Sequence, residues 1–417
     1  MRSLLLAVSS FAWLVGSLGC TVDASSDPER VGRASAPIVN GTISVAGEDD
    51  SAVAVLNLPP GGGFNGACSG VLISQKIVLT ARHCVARTQA GGIACTKDGR
   101  SISGGGVLSD YPAENLAIMT GPRIQFSRFG TAPRGTKVIH TGARNLCDND
   151  IALVILDQPI TDMPIAQLRL DGPPVEGENI LAVGWGVSND ASTDYLRRRR
   201  SDIPIVKVGP ASSSTGGGVG PHELQIGEGI CSGDSGGPAY AMTTKAVLGV
   251  VSRGGNGYPA TEEDPTYISC VDQEGYVTRN LYTRVDQYKD LILSAFAETG
   301  EEPWLEGGPD PRKKKFGEAC GGGDDCRSAL CLEAAGAKRC SELCADDACP
   351  DGYSCITIGE PAGGTKVCAP AAVQPAGDAS GASGGCAVGG EPTGLVWPLG
   401  LALAAAAIVR GRRARRR

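Results

Sequence analysis

The chain has 417 residues and a net charge of −7, with 60 glycines, 16 cysteines and aromatic residues at 5% of the total. That length allows a large core plus accessory parts, and a composition so rich in glycine and poor in aromatics suits many turns rather than a helical bundle. The acidic balance argues against a nucleic-acid partner: without the six arginines of the terminal run Arg410–Arg417, the net charge of −7 falls to −13.

Arg2, then the apolar run Leu4–Leu18 and small residues, read as a secretory signal over residues 1–20. Export places the cysteines in an oxidising compartment. Apolar runs of strand length between Gly/Pro turns, such as Val53–Leu58, Ile180–Val183 and Ala246–Val251, predict an all-β protein. His83 stands in Leu79-Thr80-Ala81-Arg82-His83-Cys84, just after the apolar runs Val71–Ile73 and Ile77–Leu79. An imidazole is the side chain best placed to accept a proton near neutral pH and return it later. The other two histidines, His140 and His222, carry no motif and read as loop or strand-end residues. Asp150 opens the apolar run Ile151–Leu156. An aspartate entering such a strand is partly buried and stays ionised only if hydrogen-bonded, for instance to an imidazole N–H. The run Arg197–Arg200 reads as a solvated loop, with a processing site or a phosphate-binding patch as alternatives. Then comes Cys231-Ser232-Gly233-Asp234-Ser235-Gly236-Gly237-Pro238, a serine in a glycine-rich turn. Glycines there let amide N–H groups converge beside the hydroxyl, as a nucleophile with a developing oxyanion requires.

With His83, Asp150 and Ser235 in that order, the chain resembles the chymotrypsin/trypsin family of serine proteases. Further motifs carry the resemblance from Ile38 to Glu298: Ile38-Val39-Asn40-Gly41, Ala67-Cys68-Ser69-Gly70-Val71-Leu72-Ile73, Val183-Gly184-Trp185-Gly186, and Leu281-Tyr282-Thr283-Arg284-Val285 with the amphipathic stretch after it. The resemblance implies two six-stranded antiparallel β-barrels with a C-terminal helix over residues 38–298. It makes His83 the base, Asp150 its orienting acid and Ser235 the nucleophile, with the N–H groups of Gly233 and Ser235 as oxyanion hole and Ser252 supporting the aspartate. The substrate would be a protein or peptide, with water as co-substrate and no cofactor or metal. It further implies that residues 21–37 are a propeptide and that a freed Ile38 ammonium pairs with Asp234. Ala36-Pro37 before that bond is a poor site for a trypsin-like activator, so a different activating protease is expected. Gly229 would form the base of the primary pocket, with Gly254 and Asn280 in its walls. No aspartate stands there, so cleavage after small or medium uncharged residues is expected. Glu262, Glu263 and Asp264 in the long segment Gly255–Ser269 read as a solvated acidic loop, or else as carboxylates folded into the pocket. Family positions imply the disulfides Cys68–Cys84 and Cys231–Cys270; Cys95 and Cys147 remain as a third pair that no motif forces.

Residues 299–317, polar, charged and proline-containing, read as a linker. Eight cysteines from Cys320 to Cys368 mark a small disulfide-rich module over 318–369, its connectivity open. A zinc module is the rival, disfavoured by the lack of histidine and by export. Residues 370–393 form a Gly/Ala/Ser linker containing Cys386, and 394–417 read as a short transmembrane helix with an arginine-rich cytoplasmic tail that would tie the protein to a membrane. Leu395–Val409 is shorter than the roughly 20 residues that span a bilayer comfortably, and the arginines would stay cytoplasmic. This tail resembles the sorting tails of myxobacterial surface proteins, which implies anchoring through Cys386. Ser17-Leu18-Gly19-Cys20 resembles a lipoprotein processing site, making Cys20 the alternative lipid anchor. The expected protein is an exported, surface-held serine endopeptidase made as a zymogen. The rival reading is a catalytically silent binding or adhesion protein whose Cys-rich module carries the function.

Overall fold

Residue period two governs the N-terminal half. Its strands are β1 (Ala52–Asn57), β2 (Ala67–Leu72), β3 (Ile77–Thr80), β4 (Leu116–Met119), β5 (Gly135–His140) and β6 (Ala152–Leu156). Side chains alternate between two apolar clusters, as strand geometry requires. In β1, Ala52, Ala54 and Leu56 join one cluster, while Val53 and Val55 join the other. The structure, a computed structural model, describes residues 38–370 apart from 62–66, 187–194, 213–216, 260, 262, 263, 265, 335 and 359–363. The signal, propeptide and tail readings, with Cys20 and Cys386, lie outside the described residues. Among the described residues no helix is long and apolar enough to cross a membrane.

The first sheet runs β5-β6-β3-β2-β1-β4 and curls until its edge strands meet at the bridge Ala117↔Arg134. Val53, Val78, Ile118 and Val154 pack in one cluster of this sheet. The alternate residues meet Leu181, Val183, Tyr240 and Val250 of the second sheet. That sheet comprises β7 (Asn179–Gly184), β8 (Arg198–Val208), β9 (Glu223–Ile226), β10 (Pro238–Ala241), β11 (Val247–Gly255) and β12 (Arg279–Arg284). Its order is β8-β7-β10-β11-β12-β9, and β8 also pairs with β9, which closes a six-stranded barrel. The two-residue strand Thr42–Ile43 pairs with β8 as a seventh. Ile180, Ile203, Leu224, Leu248 and Tyr282 cluster there with Ile38. Helix α1 (Lys289–Thr299) buries Ile292, Ala295 and Phe296, an i, i+3, i+4 stripe, against the shared cluster. It stops at Gly300, whose φ of 72° is the left-handed cap that glycine adopts without strain. A curled six-stranded sheet, a closed six-stranded barrel with one short added strand, and a C-terminal helix match the architecture expected. The second barrel closes through a full strand pairing, the first through a bridge.

The arginine run is not a solvated loop. Arg198–Arg200 open β8, and Arg197 before them is fully buried. Arg197 Nε donates to Ser44 Oγ (3.0 Å) and Nη2 to Val45 O (3.0 Å) and Asp50 Oδ1 (2.7 Å), with its guanidinium 5.7 Å from the Trp185 ring. Arg199 pairs with Glu48 and Asp49, and Arg200 Nη1 donates to Val39 O at 2.9 Å. The run therefore clamps the segment that follows Ile38 onto the second barrel. Local charge density pointed to solvent, but carboxylates about 150 residues earlier supply the partners that make burial tolerable. Arg197→Ala should destabilise the fold by about 3–5 kcal/mol, because a fully buried side chain is emptied and Asp50 and the Val45 carbonyl lose the guanidinium that bonds both. Denaturant unfolding of the variant checks this, and a loss below about 1 kcal/mol would refute the clamp.

The segment read as a linker lies along the barrels. Leu168 bridges to both Val247 and Leu305, Trp304 packs on the first sheet's cluster, and Arg169 forks Glu306 (2.5 and 2.8 Å) while holding Glu178. Beyond it are two hairpins, β13 (Cys331–Ala334) with β14 (Ala337–Cys340), and β15 (Tyr353–Ile358) with β16 (Thr365–Pro370). The disulfides are Cys320–Cys331 and Cys326–Cys340, then Cys344–Cys355 and Cys349–Cys368. First pairs with third and second with fourth in each set, so the module is one four-cysteine hairpin unit used twice.

Candidate active site

Three segments from both sheets converge on one buried carboxylate. His83 sits in the 3-10 turn Arg82–Cys84 that ends β3, Asp150 leads into β6, and Ser252 belongs to β11. Asp150 is fully buried. Its Oδ2 lies 2.8 Å from His83 Nδ1 and accepts Ser252 Oγ–H at 2.7 Å, while Oδ1 accepts the His83 amide at 3.0 Å. Thr283 Oγ1 of β12 donates to the Asp150 carbonyl at 3.0 Å. Burial alone would lower the His83 pKa, but the adjacent Asp150 charge and hydrogen bond outweigh it and raise it above the usual imidazole value. Burial would raise the Asp150 carboxyl, and His83 with Ser252 holds it below the ordinary aspartate value instead.

Ser235 stands in the tight turn before β10. Its carbonyl accepts the Ser69 amide at 2.7 Å and lies 3.5 Å from Cys84 Sγ, which brings the turn to the residue after His83. The amides of Asp234, Gly236 and Gly237 are engaged by Cys231 O, Val251 O and Asp234 O. Among the described residues, those of Gly233 and Ser235 donate to no backbone carbonyl. Gly233 has φ 95°, and a Cβ there would come within 2.8 Å of Gly186 Cα, so both conformation and space demand glycine.

Asp234 points the other way, into the second barrel. Its carboxylate accepts amides from Cys231 (2.9 Å), Gly186 (2.8 Å) and Ile38 (3.1 Å). Burial pushes the carboxyl up to about 6, against those amides and the positive charge of Arg198. The ordinary value is 3.8, so the folded state binds the extra proton between these two values. The increment this brings is full in acid and is lost as pH rises through about 6.

A cleft of about 140 Å³ adjoins Ser235, lined among others by Ile230, Ser252, Gly254 and Asn280. A Cβ on Gly254 would fall 1.9 Å from Asn280 Oδ1, and Asn280 Nδ2 donates to Gly227 O at 2.8 Å. Gly229 is not part of this lining: a side chain there would press on Ile203 and Ile226 inside the barrel. Asp264 Oδ2 accepts the Thr261 amide in its own turn, and Glu262 and Glu263 lie outside the described residues. The cysteines pair as Cys68–Cys84, Cys231–Cys270 and Cys95–Cys147. His140 Nε2 meets Asp110 at 3.2 Å, and His222 Nδ1 lies between Tyr288 Oη (3.1 Å) and Asp148 (3.2 Å).

Sequence reasoning passed over Ser69, whose Oγ accepts the Trp185 amide (3.0 Å) and donates to Gly233 O (3.1 Å). It also passed over the buried ion pair of Arg253 with Glu223. Ser69 is the polar residue inside an apolar strand, which was its available signal, whereas Arg253 and Glu223 stand at strand ends where a charge draws no notice.

A family model described as Trypsin matches residues 38–292. Trypsin eta of Drosophila erecta is 25% identical over 210 residues, which cover 47% of this chain and 70% of that protein. Trypsin Tyr p 3.0101 of Tyrophagus putrescentiae is 27% identical over 273 residues, covering 62% and 80% respectively. Among solved structures, HL collagenase aligns with a TM-score of 0.42 and 18% sequence identity, across 64% of this chain and 100% of that one. The family match covers more than half of the sequence, and the chain belongs to the trypsin family of peptide hydrolases.

Proposed function

We propose that the protein is an exported serine endopeptidase that cleaves peptide bonds through Ser235, His83 and Asp150. The observation that carries this reading is the buried Asp150 carboxylate bonded at once to His83 Nδ1, the His83 amide and Ser252 Oγ. A carboxylate so held keeps the Nδ1–H tautomer, which leaves Nε2 free to take a proton. Ser235 Oγ attacks the scissile carbonyl and passes its proton to His83. The carbonyl oxygen gains the negative charge and is met by the amides of Gly233 and Ser235. His83 then protonates the leaving amine, and water repeats the sequence on the acyl-enzyme.

Residues 21–37 act as a propeptide in this reading. An unfreed Ile38 brings only an amide to Asp234, whereas cleavage before Ile38 brings an ammonium that offsets the cost of ionising that buried carboxyl. Small or medium uncharged residues fit a narrow cleft whose described lining holds no carboxylate. A peptide-library profile dominated by Arg and Lys would refute that preference. The tail holds the enzyme at the cell surface through Cys386, with Cys20 as the alternative lipid anchor.

The test is a fluorophosphonate probe on the full-length protein and on a form beginning at Ile38, with the adduct located by peptide mass spectrometry. Ser235 should be labelled in the Ile38 form and far less in the uncut chain. An Ile38 form that takes no label overturns the enzyme reading in favour of a binding protein.

A further inference from the structure

One charged pair lies against the Asp150 site, and its Arg253 also lines the cleft beside Ser235. Arg253 follows Ser252 in β11, and its guanidinium forks the Glu223 carboxylate of β9, with Nη2–Oε2 at 2.9 Å and Nη1 on Oε1. Glu223 is fully buried and the Arg253 side chain is 9% exposed. The remaining sites on Glu223 are also filled: Oε1 accepts the Asp148 amide (3.2 Å) and Oε2 the Gly220 amide (2.8 Å). Glu223 thus binds both the strand that carries Ser252 and the main chain two residues before Asp150. Those are the two segments that meet at the carboxylate. Arg253 Nη1 also lies 3.5 Å from Ser252 Oγ. A donor on that side leaves the single hydroxyl hydrogen to point at Asp150 Oδ2, where Ser252 is bonded.

We propose that Arg253 and Glu223 are a positioning pair that locks Ser252 and the 148–150 segment so that the Asp150 carboxylate stays aligned with His83 Nδ1. The proposal rests on the reading of His83, Asp150 and Ser235 as the reacting groups. The pair touches no reacting atom and acts through Asp150. A buried carboxylate and guanidinium with all four carboxylate contacts made resist displacement, since separating them exposes an unpaired charge to an apolar interior. Other polar groups border the pair. Asp148 accepts the His222 amide through Oδ1 (2.6 Å) and meets His222 Nδ1 through Oδ2, and the Tyr288 hydroxyl donates to the Asp148 carbonyl.

The experiment uses the full chain activated at Ile38 and two variants, Arg253→Met/Glu223→Gln and Arg253→Lys. The double variant removes both charges at similar volume, which spares the fold the penalty of a single buried charge. Its kcat should fall roughly ten- to a hundredfold, as misalignment predicts. Because Arg253 also lines the cleft, the decisive readouts are kcat and the His83 titration rather than KM. The His83 imidazole should titrate at lower pH, and with three histidines in the chain its NMR signal can be followed directly. Arg253→Lys retains the charge without the fork and should recover part of kcat and part of the His83 shift. A folded double variant with kcat within about twofold of the parent and an unmoved His83 titration would overturn the proposal. If the double variant does not fold, Arg253→Lys decides: a lowered His83 titration supports the pair and an unmoved one rejects it. Absence of Ser235 labelling in the parent sinks the triad reading alone, because the His83 titration still reports the hold on Asp150.

Discussion

Under the proposed mechanism Ser235→Ala should lower kcat of the Ile38 form by about 10⁶-fold while leaving the fold intact. The size follows from the division of labour. Without the hydroxyl there is no acyl-enzyme, and His83 and Asp150 have no nucleophile to serve. What remains is binding and amide stabilisation of the oxyanion, which sustains only a small residual rate. Stability should hold because the interactions that place the turn are made by main chain: Ser69 N on Ser235 O, Asp234 N on Cys231 O, and Gly236 N on Val251 O. Steady-state hydrolysis of a peptide amide, with thermal unfolding as control, measures both halves. A variant retaining more than about a hundredth of the parent rate would show that another group does the attack.

Asp150→Asn is the second large effect, about 10⁴-fold in kcat with little change in KM. The Asp150 carboxylate is acceptor to three donors, namely His83 Nδ1, the His83 amide and Ser252 Oγ. An asparagine offers one oxygen and one NH₂ in the same space. If the NH₂ faces Nδ1, that nitrogen must become the acceptor, and the proton moves to Nε2, where it blocks uptake from Ser235. If it faces the main chain instead, it meets the His83 amide, donor to donor. Either way the imidazolium loses its counter-charge. In the parent, activity should rise with pH through a His83 value above the usual 6.5, because only the neutral imidazole accepts a proton. In Asp150→Asn that limb should move to lower pH. A pH profile of kcat/KM for both proteins reads the sign, and an unmoved limb would mean that Asp150 does not face the working histidine.

Much of this site is legible in the chain because its parts obey local rules. The Cys231–Pro238 octet identifies itself, since Gly233 must take a φ of 95° with no room for a Cβ and only glycine meets both demands. His83 and Asp150 are marked by the apolar strands beside them, and the pairing of Cys68 with Cys84 and of Cys231 with Cys270 came with the family resemblance. Short continuous apolar runs announce strands where both faces are covered, as in β1 and β6. The helix after β12 is legible from its i, i+3, i+4 stripe.

Sequence alone thus determined the fold class and marked the cysteine-rich segment and the candidate reacting residues, because backbone geometry and burial period are written within a few neighbouring positions. Tertiary structure decided where the charges go. Arg197 reads as solvated until Asp50, 147 positions away, arrives beside it. Arg253 reads as a solvated strand-end residue until Glu223 meets it from β9. Residues 299–317 read as a tether until Arg169 takes Glu306 across 137 positions. A buried charge is tolerable only when its counter-charge shares the same dry space, and no local spacing records that meeting.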